Sequence, residues 1–185
     1  MALAFTEKIE LGYKAPDFNL PEPLTGKNRS LNELKSEIGT VVMFICNHCP
    51  YVKHVNNGLI RLANDYLSKG ISFIAINSND TANYPDDSPE KMIEVATNLK
   101  YPFPYLFDET QEIAKAYQAV CTPDFSVFDK NLICVYRGQM DDSRPGNDIA
   151  VTGMDIQYVL DSLIHNQPIS QNQIPSAGCS IKWKY

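Results

Sequence analysis

The chain's hydrophobic pattern is organised around residues 40–45, Thr-Val-Val-Met-Phe-Ile, apolar at every position after the threonine. An unbroken run of this kind predicts a strand buried on both faces, as in a parallel sheet. The period then changes. Val52, Val55, Leu59, Leu62, Ala63, Tyr66 and Leu67 fall on one face of a helix over 52–69 that begins near Tyr51. Gly70 is placed to end it as the C′ residue. Ile71-Ser72-Phe73-Ile74-Ala75-Ile76-Asn77 is a second strand, and strand, helix and strand of these lengths predict a right-handed parallel crossover.

The same reading extends in both directions. Residues 1–15 form a leader or edge segment. Ala15–Leu20 and Lys27–Leu31, separated by Pro21, Pro23 and Gly26, predict an N-terminal hairpin. Ser30 with Glu33 has capping-box spacing and opens a short helix to about Glu37. After a polar loop from Ser78 to Ser88, a helix is expected over Pro89–Leu99. An extended piece at Tyr101–Leu106 and a helix over about Thr110–Tyr117 follow. Cys121-Thr122-Pro123-Asp124 is a break, then Phe125–Phe128 and Leu132–Tyr136 pair as strands about a turn at Asp129-Lys130-Asn131. A polar loop covers 137–153, and Ile156, Val159, Leu160, Leu163 and Ile164 give the inward face of a last helix over Asp155–His165. The tail from Asn166 is polar. One α/β domain is expected over 1–185, with its core at about 12–165 and a tail at 166–185.

Composition narrows the function. A chain of 185 residues with 44% hydrophobic and 21% charged positions can bury roughly 70% of its unfolded surface and needs no disulfide or metal to fold. A net charge of −6 argues against a nucleic-acid partner. The N-terminus lacks a signal peptide's basic start and apolar core, and no apolar run approaches the ~18 residues of a membrane span. The expected compartment is therefore the cytoplasm, where a close cysteine pair is more often catalytic or metal-binding than structural. Five cysteines is an odd number, so at least one is unpaired within the chain.

The candidate chemistry sits between the first strand and its helix, in Cys46-Asn47-His48-Cys49-Pro50. A strand running into Cys-x-x-Cys and then a helix, within a βαβ pattern, predicts a redox-active disulfide site. The thiolate is the nucleophile, and the positive end of a helix stabilises it. On this reading Cys46 sits at the helix start as the more exposed nucleophile, and Cys49, one turn deeper, closes the disulfide. Asn47 and His48 are the tuning positions; a protonated His48 would lower the Cys46 pKa and make the disulfide a stronger oxidant. A metal or cluster site is an alternative use of the cysteines. Zinc needs four ligands, however, and only Cys121 or Cys179, folding back, could complete the set, so no metal ligand or cofactor is assigned. Cys121 and Cys179 stand as auxiliary thiols and Cys134 as core. His54 and His165 are expected on helix surfaces, Arg137 and Arg144 in local ion pairs with the Asp141-Asp142 loop, and Asp86-Asp87 in a solvated loop.

The combination of Ala15-Pro16-Asp17-Phe18, Cys46 to Val52, Cys121-Thr122-Pro123-Asp124-Phe125, Tyr136 to Gln139, Asp141 to Gly146 and the tail Pro175 to Lys184 resembles the thioredoxin-like superfamily. More narrowly it resembles the bacterial peroxiredoxin-like, AhpC/TSA-related subgroup that carries Cys-x-x-Cys. The resemblance implies a thioredoxin-like fold, with a mixed central sheet flanked by helices and an N-terminal hairpin extension. It also implies a cis Thr122-Pro123 bond opposite the pair, where Thr122 and Pro123 dock substrate. The chain departs from true peroxiredoxins in lacking their peroxide-activating Pro and Thr. Those positions are Val42 and Cys46 if Cys49 is peroxidatic, and Gly39 and Met43 if Cys46 is. The expected activity is therefore thiol–disulfide exchange, in which Cys46 attacks and Cys49 resolves the mixed disulfide. An antioxidant thiol peroxidase, with Cys49 attacked by peroxide and Cys46 resolving, is the alternative. The expected partners are protein or small-molecule disulfides, or peroxides, together with a thiol reductant; no nucleic acid and no membrane are expected.

Overall fold

The all-apolar run becomes β4 (Gly39–Phe44), the middle strand of a five-stranded sheet in a computed structural model that describes residues 3–6 and 11–184. Strand order is β6-β5-β4-β8-β9, with β5 at Ile71–Asn77, β6 at Tyr105–Phe107, β8 at Asp124–Asp129 and β9 at Cys134–Gly138. β4 runs parallel to β5 and antiparallel to β8; β6 is parallel to β5, and β9 is antiparallel to β8. The sheet is therefore mixed. Every residue of β4 is buried because both faces are covered, and alternate side chains enter different layers. Val41, Met43 and Ile45 pack with α2 (Pro50–Leu67), α3 (Pro89–Leu99) and α5 (Met154–Ile164). Val42 and Phe44 pack on the other side with Phe18, with Leu31 of α1 (Leu31–Leu34) and with Ala114 of α4 (Glu112–Ala116). This is the thioredoxin-like arrangement expected from the sequence.

The hairpin extension is present as β2 (Asn19–Glu22) and β3 (Lys27–Ser30), paired Asn19↔Ser30 through Glu22↔Lys27. Ser30 caps α1, its side chain accepting the Glu33 N–H at 3.2 Å, but the helix stops at Leu34 rather than Glu37. α4 is likewise shorter than the expected 110–117. The β8–β9 hairpin forms with β9 displaced toward Gly138, with an irregular register between Val127 and Phe128. Arg137 does not pair with the Asp141-Asp142 loop. It lies buried against Asp124 at 3.1 Å and donates to the Tyr117 and Gln118 carbonyls. Arg144 donates to the Asp141 and Ser143 carbonyls and to Gln139, so it too forms no ion pair with the loop carboxylates.

The larger departure is the tail. Its residues Ala177–Ser180 form β10, which lies between β1 (Leu3–Phe5) and β7 (Cys121–Thr122) in a separate three-stranded sheet. Leu3–Phe5 are thus an edge strand, and residues 1–2 and 7–10 of the expected leader lie outside the described residues. Both pairings are antiparallel, Leu3↔Cys179 to Phe5↔Ala177 on one side and Cys179↔Thr122 and Ser180↔Cys121 on the other. Beyond β10, Ile181 is buried in the second core layer, with Trp183 packed against it. The Asp80 N–H donates to the Lys182 carbonyl and the Lys182 N–H to Asn79 Oδ1, which hold the tail there. Among the described residues no helix is long and apolar enough to cross a membrane.

Gly178 is what lets β10 lie so close. A Cβ there would fall 2.0 Å from the Thr122 carbonyl oxygen, a backbone atom that cannot rotate away. Gly178→Ala is expected to cost about 1–3 kcal/mol through overpacking. It should also speed amide hydrogen exchange across 177–180 while leaving the amides of β4 protected. Chemical denaturation and exchange measured on the same sample check both effects.

Candidate functional site

β4 ends at Phe44, and the chain continues through Ile45 and Cys46 into a bend before α2 begins. The helix starts at Pro50. A proline suits this first position because its missing N–H has no helical partner to lose. Cys49, with extended backbone (φ −65°, ψ 124°), is therefore the N-cap residue. This corrects the expectation that Cys46 stands at the helix start: Cys46 precedes the helix by a full bend. It is not usefully more exposed either, at 2% against 0% for Cys49.

Both sulfurs converge on Thr122. Cys46 Sγ lies 3.4 Å from the Thr122 hydroxyl, and the Cys49 thiol donates to the Thr122 carbonyl at 3.2 Å. The Thr122-Pro123 peptide is cis, as the resemblance implied. No disulfide is formed between the two cysteines. A crevice of about 20 Å³, the size of one water, is lined by Tyr51, Pro123, Phe125 and Ala177 of β10. A cavity of about 760 Å³ lies at the opposite end of the sheet among Ile38, Asp129 and Leu163, away from the thiols.

The loop between the cysteines is held by a residue that sequence reasoning placed in solvent. Asp87 is fully buried at the end of a 3-10 turn, Pro85–Asp87. Its Oδ1 accepts the backbone N–H groups of Asn47 (2.7 Å) and His48 (3.2 Å). Its Oδ2 accepts the Asn79 amide at 2.7 Å and meets His48 Nδ1 at 2.5 Å. Asn47 completes the lock, donating to the Asp86 carbonyl and accepting from the Tyr105 hydroxyl at 3.1 Å. His48 thus faces Asp87 and stacks on Tyr84 with ring centroids 5.5 Å apart. The signal was available in one respect: an acid at the carboxyl end of a parallel strand stands next to the neighbouring strand's site loop. Its burial, however, depends on a turn with no hydrophobic signature.

These contacts decide the charge of the pair. The Cys46 thiol lowers the Cys49 pKa from the ordinary 9.0 to about 4 by hydrogen bonding to it; burial opposes this. Cys179, the Val52 N–H and Thr122 add to the lowering, although Cys49 closes no full capping hydrogen bond. The bond to the Thr122 carbonyl exists only for the protonated thiol, but these donors outweigh it. The Cys46 thiol is pushed well up by the same bond to Cys49, by burial and by the Asp87 charge. These contacts favour a negative charge on Cys49 over one on Cys46, as the start of a helix also does.

The remaining cysteines divide by strand alternation. The Cys121 sulfur lies 3.8 Å from the Thr6 hydroxyl, which itself donates to Asp124, and burial, with Asp124 and Cys49 adding, raises its pKa to about 12. Cys134 is core, raised by burial to about 11. Cys179 is 3% exposed and shares a core layer with Cys46 and Cys49. Of the expected surface histidines, His165 is exposed at the end of α5 and His54 is half-buried against the Ser143 hydroxyl. Cys46 Sγ, a His48 ring nitrogen and an Asp87 oxygen lie within 4.8 Å of one another, the spacing of a cation site. Both Asp87 oxygens already accept N–H groups, so a metal would have to displace donors that hold the loop.

Cys46→Ala removes the principal donor to Cys49, so the Cys49 pKa should rise, whereas Cys46→Ser, which keeps a donor, should change it less; thiolate ultraviolet absorbance against pH measures this. Because the folded value of about 4 lies below 9.0, thiolate ionisation stabilises the reduced protein increasingly as pH rises from 4 toward 9, and that gain is lost as pH falls through 4. Asp87→Asn leaves four donors facing a neutral amide and should cost roughly 1–3 kcal/mol. Burial alone would raise the Asp87 carboxyl, but His48, Asn79 and the Asn47 N–H hold it below 3.8. Its stabilisation is therefore full above pH 3.8, fades as pH falls through the lower folded value, and should be missing from the variant's acid denaturation curve.

Comparison with known proteins agrees with this architecture. An uncharacterized conserved protein from Geobacillus kaustophilus is 58% identical in its crystal structure, with a TM-score of 0.98 over 100% of this chain and 97% of that one. A hypothetical protein from Sinorhizobium meliloti is 40% identical, with a TM-score of 0.95 over 97% of this chain and 98% of that one. The thioredoxin domain of a thiol-disulfide oxidoreductase from Bacteroides vulgatus shares the fold at 18% identity, with a TM-score of 0.62 over 82% of this chain and 99% of that one. No curated protein matches the chain. The AhpC/TSA family's sequence profile matches residues 11–137, more than half of the chain, and the protein belongs to the AhpC/TSA family.

Proposed function

We propose that the protein is a thiol–disulfide oxidoreductase that works through Cys46 and Cys49. The observation that carries this reading is the convergence of both sulfurs on Thr122, beside cis Pro123. Membership of the AhpC/TSA family supports redox chemistry in general. The attack is assigned to Cys49 rather than Cys46, because Cys49 occupies the N-cap and has the lowered pKa. The Cys49 thiolate attacks one sulfur of a substrate disulfide, and the other sulfur leaves as a thiolate. Cys46 then gives up its proton and attacks Cys49 Sγ, releasing the second substrate thiol and closing the Cys46–Cys49 disulfide. The substrate gains two electrons and the pair loses two; a thiol reductant restores the pair.

His48 has a different part from the one the sequence suggested. Its ring is committed to Asp87, so it positions the loop and contributes to the site through that carboxylate. With both sulfurs buried, exchange requires local opening of the covering segments. Substrates are protein or small-molecule disulfides, and the reducing cytoplasm is the compartment this chemistry suits.

A thiol peroxidase is the second reading, favoured by the same Cys49 thiolate. Val42 and Cys46 in place of the activating Pro and Thr rank it lower. The test is to mix reduced protein with glutathione disulfide or with hydrogen peroxide and to follow loss of thiols. Exchange is expected to oxidise the pair at least about tenfold faster with the disulfide, as suits a thiolate pair without peroxide activation. Cys49→Ser should return that rate to background. Faster consumption of peroxide would overturn the reading in favour of the peroxidase.

A further inference from the structure

The strand β10 stands where a docked peptide would add to the site. β7 is a two-residue edge carrying Thr122, the residue on which both sulfurs converge. Adding a strand to such an edge is a general way to bind an extended peptide. Here the chain's own tail occupies it, antiparallel, with Cys179 directly opposite Thr122. β1 closes the far side of β10, so the tail strand is held between two neighbours and covers this side of β7. α2 packs against β10, and Cys179 lies in the same buried cluster as Cys46, Cys49, Val52 and Phe125. Gly178 presses the strand onto the Thr122 carbonyl, the same oxygen that accepts from the Cys49 thiol. Hydrogen bonding by Cys179 helps to hold the Cys49 pKa down, and Cys49 in turn raises that of Cys179.

We propose that Cys179 is a third redox thiol, carried on a resident strand, that competes with Cys46 to resolve the mixed disulfide on Cys49. This rests on the reading of Cys49 as the attacking thiol. In the step, Cys179 loses its proton and its sulfur attacks Cys49 Sγ. The bond from Cys49 to the substrate sulfur breaks, and the substrate leaves as a thiolate that takes up a proton. The product is a Cys49–Cys179 disulfide, and the electron count is that of the Cys46 route: two protein thiols oxidised, one substrate disulfide reduced. The same sulfur can be passed on without further oxidant. If Cys179 attacks the Cys46–Cys49 disulfide at Cys49, Cys46 is released as a thiol. The pair is thus one branch of a three-sulfur exchange, and the tail is the other.

Burial pushes the Cys179 thiol up to about 12, with Cys49 adding to the effect. Once Cys49 is bonded to substrate its negative charge is gone, which removes the second of these causes. Attack by Cys179 is therefore suited to the mixed disulfide rather than to the resting reduced state.

The experiment uses the full chain with Cys46→Ser, which blocks the first branch, and glutathione disulfide as the oxidant. Mass spectrometry of the quenched protein should show a glutathione adduct on Cys49 that decays as a peptide cross-link between Cys49 and Cys179 appears. In the double variant Cys46→Ser/Cys179→Ser the adduct should persist at least about tenfold longer, because the intramolecular thiol is lost. The cross-link is read in the single variant alone, so poor folding of the double variant does not remove the test. An adduct that forms in Cys46→Ser but persists, with no Cys49–Cys179 cross-link, overturns the third-thiol proposal and leaves Cys49 as nucleophile. Absence of any adduct on Cys49 overturns both.

Discussion

A buried carboxylate with four N–H partners fixes the geometry on which the rest of the site depends. An unpaired charge inside a protein is costly, so Asp87 is retained only with every oxygen engaged. Two of its partners are the backbone N–H groups of Asn47 and His48, and this forces the bend between the cysteines. The bend delays the helix until Pro50 and makes Cys49 its first flanking residue. The same negative charge, close to Cys46, disfavours a second anion there. One interaction thus shapes the loop and separates the acidities of two chemically identical side chains.

Much of the scaffold could be read from local periodicity. The unbroken apolar run of β4 and the helical stripe of α2 report burial directly, because each residue's environment is set by the layer it enters. The hairpin and the Ser30 cap were legible for the same reason: their partners are a few residues away. The cysteine pair and Thr122-Pro123 were legible as a motif, since their residue types carry the chemistry.

What could not be read was whatever depends on distant partners. Asp86 and Asp87 are adjacent acids in a polar loop, yet one is fully buried and the other exposed, and nothing local distinguishes them. Arg137 close to Asp141-Asp142 suggested a local ion pair, but its partner is Asp124 on the neighbouring strand. β10 has no alternating pattern, and its pairing with β1 and β7 joins the two ends of the chain to its middle. The helix start is a different case. Pro50 was a visible signal for the first helical position, and weighing it would have put Cys49, not Cys46, at the cap.

The position of β10 also has a consequence for biosynthesis. The strand that completes the thiol cluster is made long after Cys46 and Cys49, which precede it in the chain. Until residues 177–180 dock, the Thr122 edge is open and the pair lacks one of its walls. During translation the nascent polypeptide therefore passes through a stage in which its reactive sulfurs are already folded onto the sheet but not yet enclosed. Closure of the site waits for the synthesis of β10.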